Sequence, residues 1–254
     1  MDNPSRGSAA FERPGHKGDT ARVPLRSMRF ILKHKWKLLF LLSGLVFIRW
    51  PGLDLAVSRH FFLPGEGFYL RNTPLAVMVY RFINIIDMPL LGALAALTVI
   101  SLNPALGWLH RRRRQVAYLL LVYLLGPGLV VNALLKDHMG RARPHSIEVF
   151  GGHALFTPAL VPSRECNRNC AFVSGHASMG FYLLSLGFAF PRRRRLWLAT
   201  GIGAGALVGY VRILQGAHFL SDVVFAFFAV YAVAAITYDF VLKGSQSGSS
   251  RLQA

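Results

Sequence analysis

Six apolar stretches separated by polar or basic connectors set the pattern of this chain: Phe30 to Ile48, Phe82 to Leu102, Val116 to Leu135, Ala177 to Phe190, Leu196 to Val211 and Phe219 to Leu242. A helix needs about 20 residues to cross about 30 Å of hydrocarbon. The pattern therefore predicts an all-α, polytopic membrane bundle of about six transmembrane helices. The first run is the weakest, because its uninterrupted part is only Leu38 to Ile48. Spanning there requires Lys33, Lys35 and Lys37 to snorkel toward the headgroups, with Trp36 and Trp50 as interfacial brackets. Gly126, Pro127 and Gly128 are expected to kink the third run.

Composition agrees with a lipid environment. Hydrophobic residues make up 53% of the 254 and charged residues 16%, with a mean hydropathy of +0.40, against about 25% charge in a usual soluble domain. The stretch 1–27 is rich in Gly, Pro, Ser and Arg and reads as a disordered basic tail. Residues 28–243 read as one six-helix membrane domain, and 244–254 as a second flexible tail. No cleavable signal peptide is expected.

Net charge is +18, and its distribution fixes an orientation. The stretch up to Lys37, the runs Arg111 to Arg114 and Arg192 to Arg195, and Lys243 and Arg251 hold most of the 29 Lys and Arg. By the positive-inside rule these segments and both termini are cytoplasmic. The arginine runs read as topology signals, with no nucleic-acid partner expected. Three segments then face outward: Trp50 to Phe82, Lys136 to Ser174, and Val211 to His218. The two cysteines, Cys166 and Cys170, lie in the second of these, where an oxidising compartment permits a disulfide. Nothing in the sequence speaks to oligomeric state.

Three clusters of chemistry-bearing residues converge on that outward side. Lys136, Arg143 and Arg212 are permanent cations suited to the equatorial oxygens of a phosphoryl group, and Pro144 stiffens the turn that aims Arg143. Ser174, Gly175 and His176 open the fourth run, where unpaired N–H groups at a helix start seat an anion. His218 and Asp222 stand four apart, so on a helix they share a face and the carboxylate fixes the imidazole tautomer. His218 is thereby the candidate nucleophile, while His176 on these grounds alone is either a site residue or a structural interfacial histidine. The outward acids, Asp54 and Asp222 among them, are scattered, so no metal or other cofactor is expected.

The three blocks KDHMGRARP, SGH and RILQGAHFLSD resemble the signature of the type 2 phosphatidic acid phosphatase superfamily, which includes bacterial acid phosphatases and vanadium haloperoxidases. The resemblance covers Leu134 to Ala226 and has two departures, Val173 where the family commonly has Pro and Val211 where it commonly has Ser. It implies a helical phosphatase working through a phosphohistidine on His218, oriented by Asp222, with His176 protonating the leaving oxygen. Lys136, Arg143, Ser174, Gly175 and Arg212 would hold the phosphoryl oxygens.

A site at the outer bilayer boundary suits a phosphorylated lipid whose chains stay in the membrane. The segment PGLDLAVSRHFFLPGEGFYL resembles the leader of bacterial lipid phosphatases, including those acting on lipid A. The expectation is a lipid phosphatase of the bacterial inner membrane, facing the periplasm, with lipid A preferred. Undecaprenyl diphosphate, phosphatidylglycerophosphate and phosphatidic acid are alternative substrates. Lipid phosphotransfer and anion transport are alternative activities. The long loop between Lys136 and Ser174 is expected to cover the site, with Arg141, Arg164 and Arg168 contacting a multiply anionic headgroup.

Overall fold

The computed structural model describes residues 25–243, with side chains from Lys35 onward. The tails expected at the two ends lie outside the described residues, except that the first helix already begins at Leu25. The chain divides into a short unit, 1–37, and a large one, 38–254, that holds every candidate site residue.

Helix α1 (Leu25–Arg49) breaks at Pro51 and re-forms as α2 (Gly52–Arg59), with 81° between the two axes. The proline has no N–H to continue the ladder, and it restricts Trp50 before it. A two-residue antiparallel hairpin, β1 (Phe62–Leu63) and β2 (Gly67–Phe68), follows. Helix α3 (Pro74–Ile100) starts earlier than its apolar run because Pro74 occupies the first helical position, where its missing N–H costs nothing.

After α4 (Gly107–Arg111) comes α5 (Arg113–Tyr123), which continues π-wound through Leu124–Leu135 into α6 (Lys136–Met139). The expected perturbation at Pro127 thus takes the form of wider winding. Asn132 Nδ2 donates to the Pro127 carbonyl at 2.8 Å, meeting an oxygen in the perturbed stretch. The remaining helices are α7 (Gly175–Tyr182), α8 (Leu186–Ala189), α9 (Arg194–Leu214) and α10 (Leu220–Tyr238).

Four helical segments among the described residues are long and apolar enough to cross a bilayer, at 74–100, 113–146, 191–214 and 220–243, and the bent α1–α2 pair makes a fifth if it is one span. The fourth expected span, Ala177 to Phe190, is not among these segments. Helix α7, a 3₁₀ turn (Leu183–Ser185) and α8 supply 8, 3 and 4 residues, or about 23 Å at 1.5 Å per residue, short of a full crossing. Most of these residues are buried against α9, α10 and the Leu124–Leu135 segment. An apolar run does not distinguish a lipid-facing helix from one enclosed by its neighbours. By contrast α3 turns large side chains outward, Ile85 being 70% and Met88 68% exposed, as a lipid-facing helix does.

Close approach of α7 to α9 depends on glycine. A Cβ on Gly180 would sit 2.7 Å from the Gly205 Cα, and one on Gly205 would sit 2.1 Å from the Phe181 ring. Small residues at such a contact let two backbones pack without intervening side chains. The contact sets the distance between the helix that begins at the Ser-Gly-His block and the helix whose last turn carries Arg212.

Candidate active site

Lys136 directly follows the π-wound stretch Leu124–Leu135, Arg212 stands in the last turn of α9, Asp222 in the first turn of α10, and His176 in the first turn of α7. These positions share one end of the bundle. The four-arginine runs stand at the starts of α5 and α9, at the other end.

Ser174 caps α7, its Oγ accepting from the Ala177 N–H at 3.3 Å, while its own N–H donates to the Asp222 carbonyl at 3.1 Å. That second bond ties the start of α7 to the start of α10. Gly175 is packed so closely that a Cβ there would lie 2.7 Å from Asn132 Oδ1 and 3.2 Å from Lys136 Nζ. The lysine therefore lies directly beside the helix start. Lys136, Arg143, Arg212 and His218 all lie within electrostatic reach of His176. The ring of His176 stacks on Tyr80 at 5.0 Å, and the Arg212 guanidinium lies over the same Tyr80 at 4.8 Å.

Each of the two arginines has its own anchor. Arg143 donates from Nε and Nη2 to the Asn169 carbonyl, at 3.2 and 2.8 Å. Arg212 donates from Nη1 to Gln215 Oε1, and Gln215 Nε2 donates on to the Arg71 carbonyl at 3.2 Å. Cys166 and Cys170 form a disulfide with Cα atoms 5.6 Å apart, closing the short loop that carries Asn169. Two buried polar atoms in this region have no partner within the chain, His176 Nε2 and Arg212 Nε. Buried polar groups are almost always paired, so the orphan on each of these two helices is an exception, and both atoms are free to bond a ligand.

His218 is 1% exposed, and its Nδ1 lies 2.8 Å from the Ala171 carbonyl oxygen. A carbonyl only accepts, so Nδ1 bears the hydrogen and Nε2 keeps its lone pair. The nearest oxygen of Asp222, Oδ2, is 3.6 Å from Nδ1. The tautomer is thus fixed by the backbone, with the carboxylate acting at slightly longer range. Nor does His218 lie on the helix, since it precedes the N-cap Phe219, whose N–H donates to Asp222 Oδ2 at 2.8 Å. Burial lowers the His218 pKa to about 4, despite the hydrogen bond and charge of Asp222, which raise it; Arg143 and Arg212 lower it further. In the unliganded enzyme the imidazole is neutral at physiological pH.

Asp222 has a second role that its spacing from His218 does not suggest. Its Oδ1 accepts from Arg141 Nη1 at 2.6 Å, while Arg141 Nη2 donates to Asp54 Oδ2 at 2.8 Å. Arg141 Nε bonds the Thr157 carbonyl at 2.8 Å, and Ser221 Oγ donates to Asp54 Oδ2 at 2.5 Å. The guanidinium also lies 4.3 Å over the Phe219 ring. Arg141 is 1% exposed, so the expectation that it meets the headgroup is corrected: it is a buried counter-ion shared by two carboxylates. The outward acids likewise are not all scattered, because Asp54 on α2 and Asp222 on α10 meet across this arginine.

A cavity of about 360 Å³ is lined by Arg71, Tyr80, Arg81, Arg143, His145 and Arg212, among others, while Lys136, His176 and His218 do not line it. His145 lines it with its backbone N–H bonded to the Gly216 carbonyl at 2.9 Å. Gly216 holds φ +65, and a Cβ there would strike the Phe68 ring at 2.3 Å, so this corner requires glycine. Among the described residues no three His, Cys, Asp or Glu stand close enough to hold a metal ion.

The PAP2 superfamily model matches residues 115–245, more than half of the chain. The chain belongs to the PAP2 superfamily. A lipid A 4′-phosphatase of Rhizobium etli (strain ATCC 51251 / DSM 11541 / JCM 21823 / NBRC 15573 / CFN 42) is 30% identical to this PAP2 protein over 233 residues, covering 84% of this chain and 88% of the relative. A lipid A 4′-phosphatase of Francisella tularensis subsp. novicida (strain U112) is 41% identical over 133 residues, covering 52% of this chain and 60% of that protein. A lipid A 1-phosphatase of the same R. etli strain is 34% identical over 106 residues, 38% of each chain. No solved structure matches. The PAP2 match contains all the residues expected to hold the phosphoryl oxygens, whereas Asp54, Arg71, Tyr80 and Arg81 precede it.

Proposed function

We propose that this membrane lipid phosphatase removes the 4′-phosphate of lipid A through a phosphohistidine on His218. The observation that carries the chemical step is the pairing of a fixed Nδ1–H tautomer on His218 with an unpartnered Nε2 on His176. Relatives aligned along most of their length support the 4′ position; the 1-phosphatases align over a smaller part.

Lys136, Arg143 and Arg212 receive the phosphoryl oxygens, with the N-terminus of α7 as a fourth contact. His218 Nε2 then attacks phosphorus in line with the ester oxygen. The N–P bond forms, the P–O bond breaks, and His176, whose imidazole burial and the surrounding cations hold neutral until a phosphate dianion offsets those charges and protonates it, delivers that proton to the departing oxygen, which leaves as the sugar hydroxyl. Water next attacks the phosphohistidine, giving its proton to His176, and inorganic phosphate leaves as His218 is restored. A Cβ on Gly175 would enter the space beside Lys136, which is why a glycine suits the seat. The charge bias of the connectors supports a periplasmic site in the bacterial inner membrane, with cytoplasmic termini.

The test is phosphate release by purified protein from lipid A, phosphatidylglycerophosphate and undecaprenyl diphosphate in mixed micelles, with the product's phosphate position read by mass spectrometry. Preferred loss of the 4′-phosphate, absent in His218→Ala, is expected. Undiminished release by that variant overturns the nucleophile, and preferred loss of the 1-phosphate overturns the regiochemistry.

A further inference from the structure

The cavity holds more positive charge than one phosphoryl group requires. A phosphate monoester near neutral pH carries at most two negative charges, and Arg143 and Arg212 on the cavity wall, with Lys136 beside the start of α7, already supply three positive ones. Arg71 and Arg81 line the same cavity, and no carboxylate does. Both are exposed, and among the described residues neither guanidinium is paired with an acid. The two approach from outside the region that matches the family, Arg71 just before α3 and Arg81 on it.

Arg81 also stands at a boundary. Val77 and Arg81 line both this polar cavity and an adjoining apolar groove of about 430 Å³ that continues along α3 past Met78, Phe82 and Ile85. A cationic hollow opening directly onto an apolar groove has the shape of an amphiphile. A lipid whose chain lies along that groove brings its headgroup past Arg81 before a phosphate reaches His218.

We propose that Arg71 and Arg81 form a second anion subsite, which binds an acidic group of the same lipid headgroup other than the phosphate that is cleaved, while the acyl portion lies along the Val77 to Ile85 groove. The inference rests on the lipid phosphatase reading and deepens it: the favoured substrates carry at least two acidic groups. The shared chemistry is a phosphate or carboxylate reached by an arginine fork. Its source is either the second phosphate of the glycolipid or an acidic sugar attached to it.

The experiment compares the wild-type full chain with Arg71→Gln/Arg81→Gln in mixed micelles. Three substrates share the 4′-phosphate: lipid A with that phosphate alone, lipid A with both phosphates, and 4′-monophosphorylated lipid A extended by acidic sugars. The ratio of KM for a two-acid substrate to KM for the one-acid substrate should rise about tenfold in the double variant, and the arm in which it rises identifies the source. Arg71→Lys/Arg81→Lys should recover part of the difference, since charge survives while the fork is lost. A ratio within twofold of wild type in both arms overturns the subsite. Should wild type release nothing from any lipid A, the 4′ reading fails by itself. The same KM ratio is then measured with phosphatidic acid and phosphatidylglycerophosphate, and decides the subsite independently.

Discussion

Replacing Arg141 by Met strands two carboxylates at once. The guanidinium is 1% exposed and donates to Asp54 at 2.8 Å, Asp222 at 2.6 Å, Ser221 Oγ at 2.8 Å and the Thr157 carbonyl at 2.8 Å. Removing one partner of a buried ion pair costs about 3–5 kcal/mol, because the charge left behind has neither water nor a counter-ion. Near 2–4 °C per kcal/mol for a domain of this size, the thermal midpoint in detergent should fall by about 6–20 °C. Asp54→Asn alone leaves Arg141 with Asp222 and should cost less. In the double variant Asp54→Asn/Arg141→Met one of the two stranded charges no longer exists, so its loss should be smaller than the sum of the single losses by about 0.5–3 kcal/mol. The assay is thermal unfolding at a fixed scan rate for the four proteins of this cycle, with phosphate release measured alongside. Additivity within about 0.5 kcal/mol would refute the claim that Arg141 is a counter-ion shared between α2 and α10.

Three further outcomes follow from the geometry. The folded pKa of His218, about 4, lies below its ordinary value of 6.5, so below pH 6.5 the unfolded chain takes up a proton that the folded one refuses, and stability declines as pH falls from 6.5 toward 4. Thermal midpoints across that window should drop more steeply for wild type than for His218→Asn; parallel curves would contradict this. Gly175→Ala drives a Cβ to 2.7 Å from Asn132 Oδ1 and 3.2 Å from Lys136 Nζ, and kcat/KM for phosphate release should fall about tenfold, or about 1.4 kcal/mol of transition-state binding. Cys166→Ser/Cys170→Ser opens a short loop whose closure is worth about 2 kcal/mol on the chain-entropy model. Its thermal midpoint should fall and its KM should rise as the Asn169 carbonyl loosens its hold on Arg143; a variant matching wild type in both would show that the loop is held by other contacts.

The parts of the site carried by local spacing were legible in the sequence. Lys136 and Arg143 share one block, Ser174 to His176 another, and Arg212, His218 and Asp222 a third, so the segments that bring them together already announced themselves. What lay across distant segments did not. Asp54 and Asp222 meet over one guanidinium, and no local pattern distinguishes that buried acid from an ordinary interfacial one. Tyr80 sits on a lipid-facing helix with nothing in its neighbours to mark the ring that stacks on His176. The bonding of His218 was misjudged because a carbonyl oxygen such as that of Ala171 has no letter in a sequence. The apolar run at 177–190 is packed among other helices, a placement hydropathy does not reveal, because it reports removal from water and is silent on whether lipid or protein replaces it.

The dependence of His218 and Arg143 on the Ala171 and Asn169 carbonyls has an evolutionary corollary. A main-chain oxygen is supplied by whichever amino acid occupies the position, so mutation there can exchange one side chain for another without deleting the acceptor. Such a loop is free to drift in composition so long as its path persists. New headgroup preferences can then be explored around the reaction centre without first dismantling it.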